Sequence, residues 1–294
     1  MDEPDFFPVP RLEERVIAIL GLGLMGGSLA MALRGKCATL IGIDPDPQAV
    51  DLALARRVVD RASTSPHGLL SQADLLVLAA PVGAILSLLK ALPDLHAGTA
   101  VVLDLGSTKR EILRLMQALP SRFDPLGGHP MCGKEKSSLA YAEVGLYRDA
   151  TFALTPLQRT TPRARSLAEL LVQEVGARPL WIDAETHDRW VAVTSHLPYL
   201  LANSLAAVTP LDAGSLVGPG FRSTARLAPA SLTMMEDILT TNRENILDSL
   251  QHFRHALDAI EQSLNTGDLE SLHTRLSLGV ENYTILVTSE GAKG

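Results

Sequence analysis

The chain has 294 residues, 46% hydrophobic and 20% charged, which supplies enough apolar side chain for sizeable cores and excludes a disordered polymer. A net charge of −7 excludes a surface built to neutralise nucleic-acid phosphates. Two cysteines, Cys37 and Cys132, exclude a disulfide framework and fit a reducing cytoplasm, and the length predicts two domains.

The acidic first 14 residues carry Pro4, Pro8 and Pro10 and lack the basic start and apolar run of a signal peptide, so they read as a frayed extension. Val16 to Leu33 is uncharged over 18 residues, close to the length of a bilayer crossing. Gly21, Gly23, Gly26 and Gly27 interrupt it, so it is expected to be a buried strand, a tight turn and a helix, with no membrane partner. Strand-like runs follow at Thr39–Ile43, Leu75–Ala79, Ala100–Leu105 and Thr151–Leu154. Helical stretches alternate with them at Gly26–Arg34, Gln48–Ala55, Ala84–Leu92 and Lys109–Leu119. A helix over Pro162–Val175 and a strand over Arg178–Ile182 complete the pattern. Apolar strands alternating with helices predict an α/β Rossmann-type doubly wound parallel sheet over residues 1–182.

After Asp183 the strand signals stop, which predicts an all-α C-terminal domain over 183–294 for substrate binding and dimerisation. A long helix is expected to start near Asp183, to carry His187, Trp190, Val191 and Thr194 on one face, and to kink at Pro198. Ile246, Leu250, Phe253, Leu257, Ile260 and Leu264 form a heptad-like seam, which Leu269, Leu272, Leu276 and Tyr283 continue after a break at Thr266–Gly267. A stripe of that length needs covering, and a second copy of the chain is the expected cover, with the chain's own helices as the alternative for part of it.

Gly21-Leu-Gly23-Leu-Met-Gly26 follows the first strand and opens the first helix. In that context Gly21 permits the turn, Gly23 lets backbone approach a pyrophosphate, and Gly26 allows close helix–strand packing. Asp44 ends the second strand 23 residues after Gly21, where an acid can bond the adenosine ribose. The next residues, Pro45, Asp46 and Pro47, include no arginine, so a 2′-phosphate would face two carboxylates and NAD is favoured over NADP. Gly21, Gly23, Leu24, Met25, Gly26, Asp44 and Pro81 are the expected cofactor positions.

Three more segments fall at or beyond the carboxyl ends of strands, where such sheets bind ligands. They are Asp104-Leu-Gly106-Ser107-Thr108-Lys109, a glycine-rich loop from Gly127 to Lys136 containing His129 and Cys132, and Ser195-His196-Leu197-Pro198-Tyr199. The glycines around His129 and its position after a strand mark it as a candidate catalytic residue, and neutral imidazole titrates in the range of a proton acceptor near neutral pH. Lys109, Lys134 and Lys136 read as solvated or phosphate-facing, and Cys132 as a small filler. His252 and His255 read as solvated. His187 and His196 stand nine apart and make no metal pair, so no metal is expected.

Together with Gly220-Phe-Arg222-Ser-Thr-Ala-Arg226, these segments resemble the prephenate/arogenate dehydrogenase family in order and approximate spacing. The resemblance runs from Gly21 to Arg226 and beyond. It implies that His129 accepts the proton of the substrate's C4 hydroxyl as hydride leaves C4, and that Ser107 hydrogen-bonds that hydroxyl and the histidine. It also implies that Arg226 holds the side-chain carboxylate, that Ser195, His196 and Tyr199 line the pocket, and that Glu135 belongs to a polar network at its mouth. A dicarboxylate substrate suits a fork-shaped guanidinium, and aromatisation of the ring drives decarboxylation without a metal. The chain has Tyr199 where many members have histidine, and Ser223 where many have aspartate. Both positions lie near the substrate side chain, so prephenate and arogenate stay open. The competing readings are a 3-hydroxyacid dehydrogenase and a non-catalytic NAD sensor. The first would use a helix lysine, and Asp183–Ala207 contains none.

Overall fold

A computed structural model describes residues 11–134 and 136–291. Eight strands make one sheet: β1 (Val16–Leu20), β2 (Thr39–Ile43), β3 (Arg61–Ser63), β4 (Leu75–Leu78), β5 (Ala100–Asp104), β6 (Phe123–Pro130), β7 (Thr151–Pro156) and β8 (Arg178–Trp181). Their spatial order is β3-β2-β1-β4-β5-β6-β7-β8. Five helices connect them: α1 (Leu24–Leu33), α2 (Pro47–Ala55), α3 (Val82–Leu95), α4 (Arg110–Gln117) and α5 (Pro162–Glu174). From β1 the chain steps outward to β2 and β3, then returns to lay β4 on the other side of β1. This reversal opens the crevice in which sheets of this kind bind ligands.

Side-chain alternation explains the layers. Ile17 and Ile19 of β1 join Leu29 and Leu33 of α1 and Leu167 and Leu171 of α5 on one face of the sheet. Ala18 and Leu20 point the other way, to Ile85 and Leu89 of α3 and Ile112 and Met116 of α4. Each fully buried leucine or isoleucine contributes roughly 1.5–3 kcal/mol. The apolar run Val16–Leu33 is therefore strand, turn and helix, as its glycines require.

Two features differ from the sequence expectation. The glycine-rich segment expected as a loop begins inside β6, and Gly127, Gly128 and His129 pair with Thr155, Leu154 and Ala153 of β7. β7 runs antiparallel to β6, so β7 and β8 oppose the otherwise parallel sheet. The short β3 had no apolar pattern to reveal it: Arg61 is exposed and Ala62 and Ser63 are half-buried.

The helices after β8 are α6 (Ala184–Val191), α7 (Leu197–Val208), α8 (Pro219–Thr224), α9 (Leu232–Thr241), α10 (Arg243–Thr266) and α11 (Leu269–Gly291). Asp183 caps α6 by accepting the Thr186 N–H at 2.9 Å. Where a kink at Pro198 was expected, one wide turn over Ala192–His196 joins α6 to α7. Pro198 then falls in the first turn of α7, directly after the wide turn that absorbs its missing N–H. The expected face is also not uniform within α6: His187 and Val191 are buried, whereas Trp190 is 55% exposed. Ala184–Val208 is long and apolar enough by length and composition to cross a bilayer, but its buried positions include the polar His187, Asp188 and His196.

The chain divides into two compact units, one ending at Arg243 and one from Glu244 to Gly294. The change from α/β to all-α lies at 182/183, yet α6 and α9 belong with the sheet layer because polar side chains fasten them to the starts of α4 and α3. Asp188 accepts the backbone N–H groups of Lys109 and Arg110, and Asp237 accepts that of Gly83. The second unit holds α10 and α11. Of the expected stripe, Ile246 is buried, while Leu257, Leu264, Leu269, Leu276 and Tyr283 are exposed.

Candidate active site

The glycine turn is built by exclusion. Gly21 has φ +103°, and a Cβ there would lie 2.3 Å from the Ala79 carbonyl oxygen. A Cβ on Gly26 would lie 1.8 Å from the Gly21 oxygen, so only glycine lets α1 start this close to β1. Nothing stands within 4 Å of a Cβ at Gly23, the N-cap of α1, and no side chain caps that terminus. Leu24 and Met25 open a helix whose N-terminal N–H groups and positive dipole end fit a pyrophosphate. Asp44 lies at the edge of the turn, accepting the Leu22 N–H at 2.7 Å and the Asp46 N–H at 2.9 Å. Pro81 is exposed at the N-cap of α3. Asp44→Ser is expected to weaken NAD+ about tenfold or more and NADP+ far less, read by fluorescence titration. Equal losses would remove the specificity argument.

The rest of α1 is covered from far along the chain. The Tyr147 hydroxyl donates to the Met25 carbonyl at 2.7 Å, and Ser28 Oγ accepts the Glu143 N–H at 3.0 Å. Gly27 leaves room for Leu139, whose Cδ1 would lie 2.3 Å from a Cβ.

His129 stands near the end of β6, which packs tightly over β5: a Cβ on Gly128 would lie 2.7 Å from the Asp104 carbonyl oxygen. Its Nδ1 lies 2.9 Å from Nε2 of His187, and Nδ1 of His187 lies 2.8 Å from Oδ1 of Asp188. Asp188 is held by the Lys109 N–H at 2.7 Å and the Arg110 N–H at 2.9 Å, at the start of α4. The bonds set both tautomers. The carboxylate accepts a hydrogen bond from His187 Nδ1–H, so His187 Nε2 accepts from His129 Nδ1–H. The lone pair of His129 is then on Nε2, which has no partner among the described residues. Desolvation, with His187, Lys109 and His196 adding to it, holds the His129 imidazole well below the usual histidine range. The ring is therefore neutral and able to accept a proton.

Lys109, expected to be solvated, is completely buried. Its Nζ donates to Asp104 and, at 2.6 Å, to the Gly128 carbonyl. Asp104 also accepts the Gly106 N–H at 2.8 Å and the Gly128 N–H at 3.2 Å. Burial pushes the Asp104 carboxyl up and the Lys109 ammonium down, and each partner opposes the shift in the other. Lys109 thus meets Asp188 through its backbone and Gly128 through its side chain. A closed ring of contacts joins Lys109, Asp188, His187, His129 and Gly128.

The other expected residues are placed as follows. Ser107 is half-buried on the turn after β5 and makes no hydrogen bond to His129 among the described residues. Its neighbour Thr108 meets Thr241 of α9, hydroxyl to hydroxyl, at 2.8 Å. His196 is 1% exposed, with Nδ1 3.2 Å from Nδ2 of Asn242. Ser195 is exposed beside it, and Arg226 is exposed just after α8. Tyr199 is buried with Met235 and Ile238 in a small helical cluster. Glu135 lies outside the described residues. Among the described residues, no three His, Cys, Asp or Glu side chains cluster as metal ligands. Sequence reasoning missed His187 and Asp188 as members of the site. Their one signal is an adjacent His-Asp pair directly after a capped helix start.

Two family models cover the chain: "Prephenate dehydrogenase, nucleotide-binding domain" matches residues 29–180, and "Prephenate dehydrogenase, dimerization domain" matches 183–278. A prephenate dehydrogenase of Bacillus subtilis (strain 168) is 34% identical over 87% of this chain and 72% of its own length. The crystal structure of prephenate dehydrogenase from A. aeolicus in complex with hydroxyphenyl propionate and NAD+ superposes with a TM-score of 0.86 at 28% identity, covering 93% of this chain and 99% of that one. That of Synechocystis arogenate dehydrogenase gives 0.79 at 30% identity, covering 92% and 99%.

Proposed function

The chain belongs to the prephenate dehydrogenase family, and on that premise we propose that it oxidatively decarboxylates prephenate to 4-hydroxyphenylpyruvate in tyrosine biosynthesis, with NAD+ as oxidant. The observation that carries this reading is the line Asp188–His187–His129, which ends in a free Nε2 lone pair. The glycine turn, the α1 N-terminus and Asp44 would hold NAD+, and bound there it supplies the hydride acceptor. His129 Nε2 takes the C4 hydroxyl proton as the C4–H electron pair departs. The imidazolium that forms is stabilised through His187 by the Asp188 carboxylate, the arrangement by which a buried acid supports a histidine base. The C–C bond to the ring carboxylate then breaks, carbon dioxide leaves, and the electron pair completes the aromatic ring. Ser107, on the turn after β5, supports the reacting hydroxyl. Ser195, His196 and Glu135 contribute to the pocket, and Tyr199 shapes it from behind.

Mixing the protein with NAD+ and either prephenate or arogenate, and following NADH, tests the reading. Prephenate is expected to turn over faster; no NADH from either substrate would overturn it.

Arg226 is assigned to the substrate's side-chain carboxylate, which an arginine fork grips with two parallel bonds and a lysine meets only as a point charge. Arg226→Lys is expected to raise the substrate KM by about one to two decades, the worth of a charged hydrogen bond, with NAD+ affinity unchanged. An unaltered KM would remove the assignment.

The protein is proposed to be a cytoplasmic homodimer. Support comes from the apolar side chains exposed on α10 and α11, the matched dimerization-domain model and two unpaired cysteines. Light scattering is expected to return twice the 31.5 kDa chain mass, and a single chain mass would exclude the dimer.

A further inference from the structure

Asn242 closes α9 and is 2% exposed. Its Nδ2 lies 2.7 Å from the backbone carbonyl of Asp188 and 3.2 Å from Nδ1 of His196. A carbonyl oxygen can only accept, so the amide nitrogen, not the amide oxygen, faces this corner. One amide hydrogen goes to Asp188, and the other points at His196 Nδ1. A ring nitrogen that accepts carries no proton, so in the neutral ring the proton sits on Nε2. His196 Nε2 has no protein partner among the described residues.

We propose that Asn242 is a positioning residue that fixes His196 as a neutral Nε2–H donor for a carbonyl or carboxylate oxygen of the substrate. This rests on the reaction site proposed above and assigns the chemistry of one subsite within it. The titratable groups around His196 are His187 and Asp188 of α6 and His129 of β6. Desolvation, opposed by Asp188 and assisted by His187, pushes its imidazole down to about 4, which agrees with a donor that stays uncharged. A neutral donor has a specific use here. A protonated His196 would add a cation next to His129 and make proton acceptance harder, because His196 already acts on His129 in that direction. The last two turns of α9 also carry Thr241 against Thr108, and Asp237 against the Gly83 N–H in the first turn of α3. The subsite is therefore held in register with the turn bearing Ser107 and with the helix that Pro81 caps.

The test is nitrogen-15 NMR of the histidine side chains, with resonances assigned by His196→Gln. In the unaltered protein at pH 7, His196 is expected as the Nε2–H tautomer, titrating far below the ordinary value of about 6.5. In Asn242→Asp a carboxylate replaces the amide donor, and the His196 ionisation is expected to rise by at least one pH unit, with a new pH dependence in substrate KM. In Asn242→Ser the tautomers are expected to mix, and KM to rise about three- to tenfold with kcat little changed, the worth of one neutral hydrogen bond. An Nδ1–H tautomer in the unaltered protein would overturn the proposal even if neither variant folds. So would a His196 titration untouched by both substitutions. The tautomer is read without turnover, so failure of the proposed reaction and failure of this assignment are told apart.

Discussion

His129→Asn is expected to lower kcat by roughly 10²–10⁴, the contribution of a positioned general base, while the NAD+ dissociation constant stays within about twofold. The substitution is chosen for what it keeps. An asparagine amide can still donate to His187 Nε2, so the line to Asp188 keeps its first contact. What it loses is the lone pair of an imidazole, because an amide oxygen is far too weak a base. Loss of NAD+ binding alongside kcat would mean that the strand had moved rather than that the base had gone. Near-normal turnover would reject His129 as the base.

The pH profile of the unaltered enzyme checks the same assignment. The imidazole is depressed in the folded protein, so its neutral, active form persists as pH falls through the ordinary histidine value. Activity is lost only when the pH reaches the depressed value. The acid limb of kcat/KM is therefore expected to lie clearly below about 6.5. A limb at or above that value would contradict the environment described for His129.

Lys109→Met is expected to be the most destabilising single change at the site, by roughly 3–5 kcal/mol in urea unfolding, because it leaves the Asp104 carboxylate buried without its cation. The sign of the pH dependence follows. A carboxyl whose folded value is raised binds protons more readily in the folded than in the unfolded state. Its penalty is absent below the unfolded value of about 3.9 and grows as pH rises toward the folded one. The gap between variant and parent should narrow in acid. Adding Asp104→Asn should recover a large share, since neutral groups of similar shape replace an unpaired ion. A Lys109→Met protein as stable as the parent at pH 7 would show that the pair is not a buried ion pair. Turnover should fall as well, because the Gly128 carbonyl beside His129 loses its donor.

The parts of the site that were legible in the sequence are those made by local chemistry. A strand, three glycines and a terminal acid form a contiguous pattern, and β1, α1 and β2 follow it within a residue or two. The position of His129 among glycines was legible for the same reason, though its strand was not. Gly127 and Gly128 look like a loop until β5 and β7 are seen to press on them from both sides. The proton line was illegible because its members are far apart in the chain: His129 and His187 are 58 positions apart, and Lys109 and Asp188 79. Lys109 was misread because a lysine among polar neighbours is usually solvated, and only the fold supplies Asp104 and the Gly128 carbonyl. The α6–α7 junction was misread because proline signals a break but not the wide turn that absorbs it.

The cover over α1 bears on the order in which the protein can be made. The turn from Gly21 to Gly26 and the acid at Asp44 emerge early from the ribosome, but Tyr147 and Glu143, which fasten the first turns of α1, lie 122 and 115 positions later in sequence than their partners. A nascent chain stopped after β5 has its complete nucleotide fingerprint and no lid of Leu139, Ala142 and Tyr147 to pack on the helix behind it. Contacts so distant in sequence close late. The dinucleotide seat of the growing polypeptide thus matures only after residue 147 is released. Truncated fragments that keep every residue of the fingerprint should still be poor nucleotide binders.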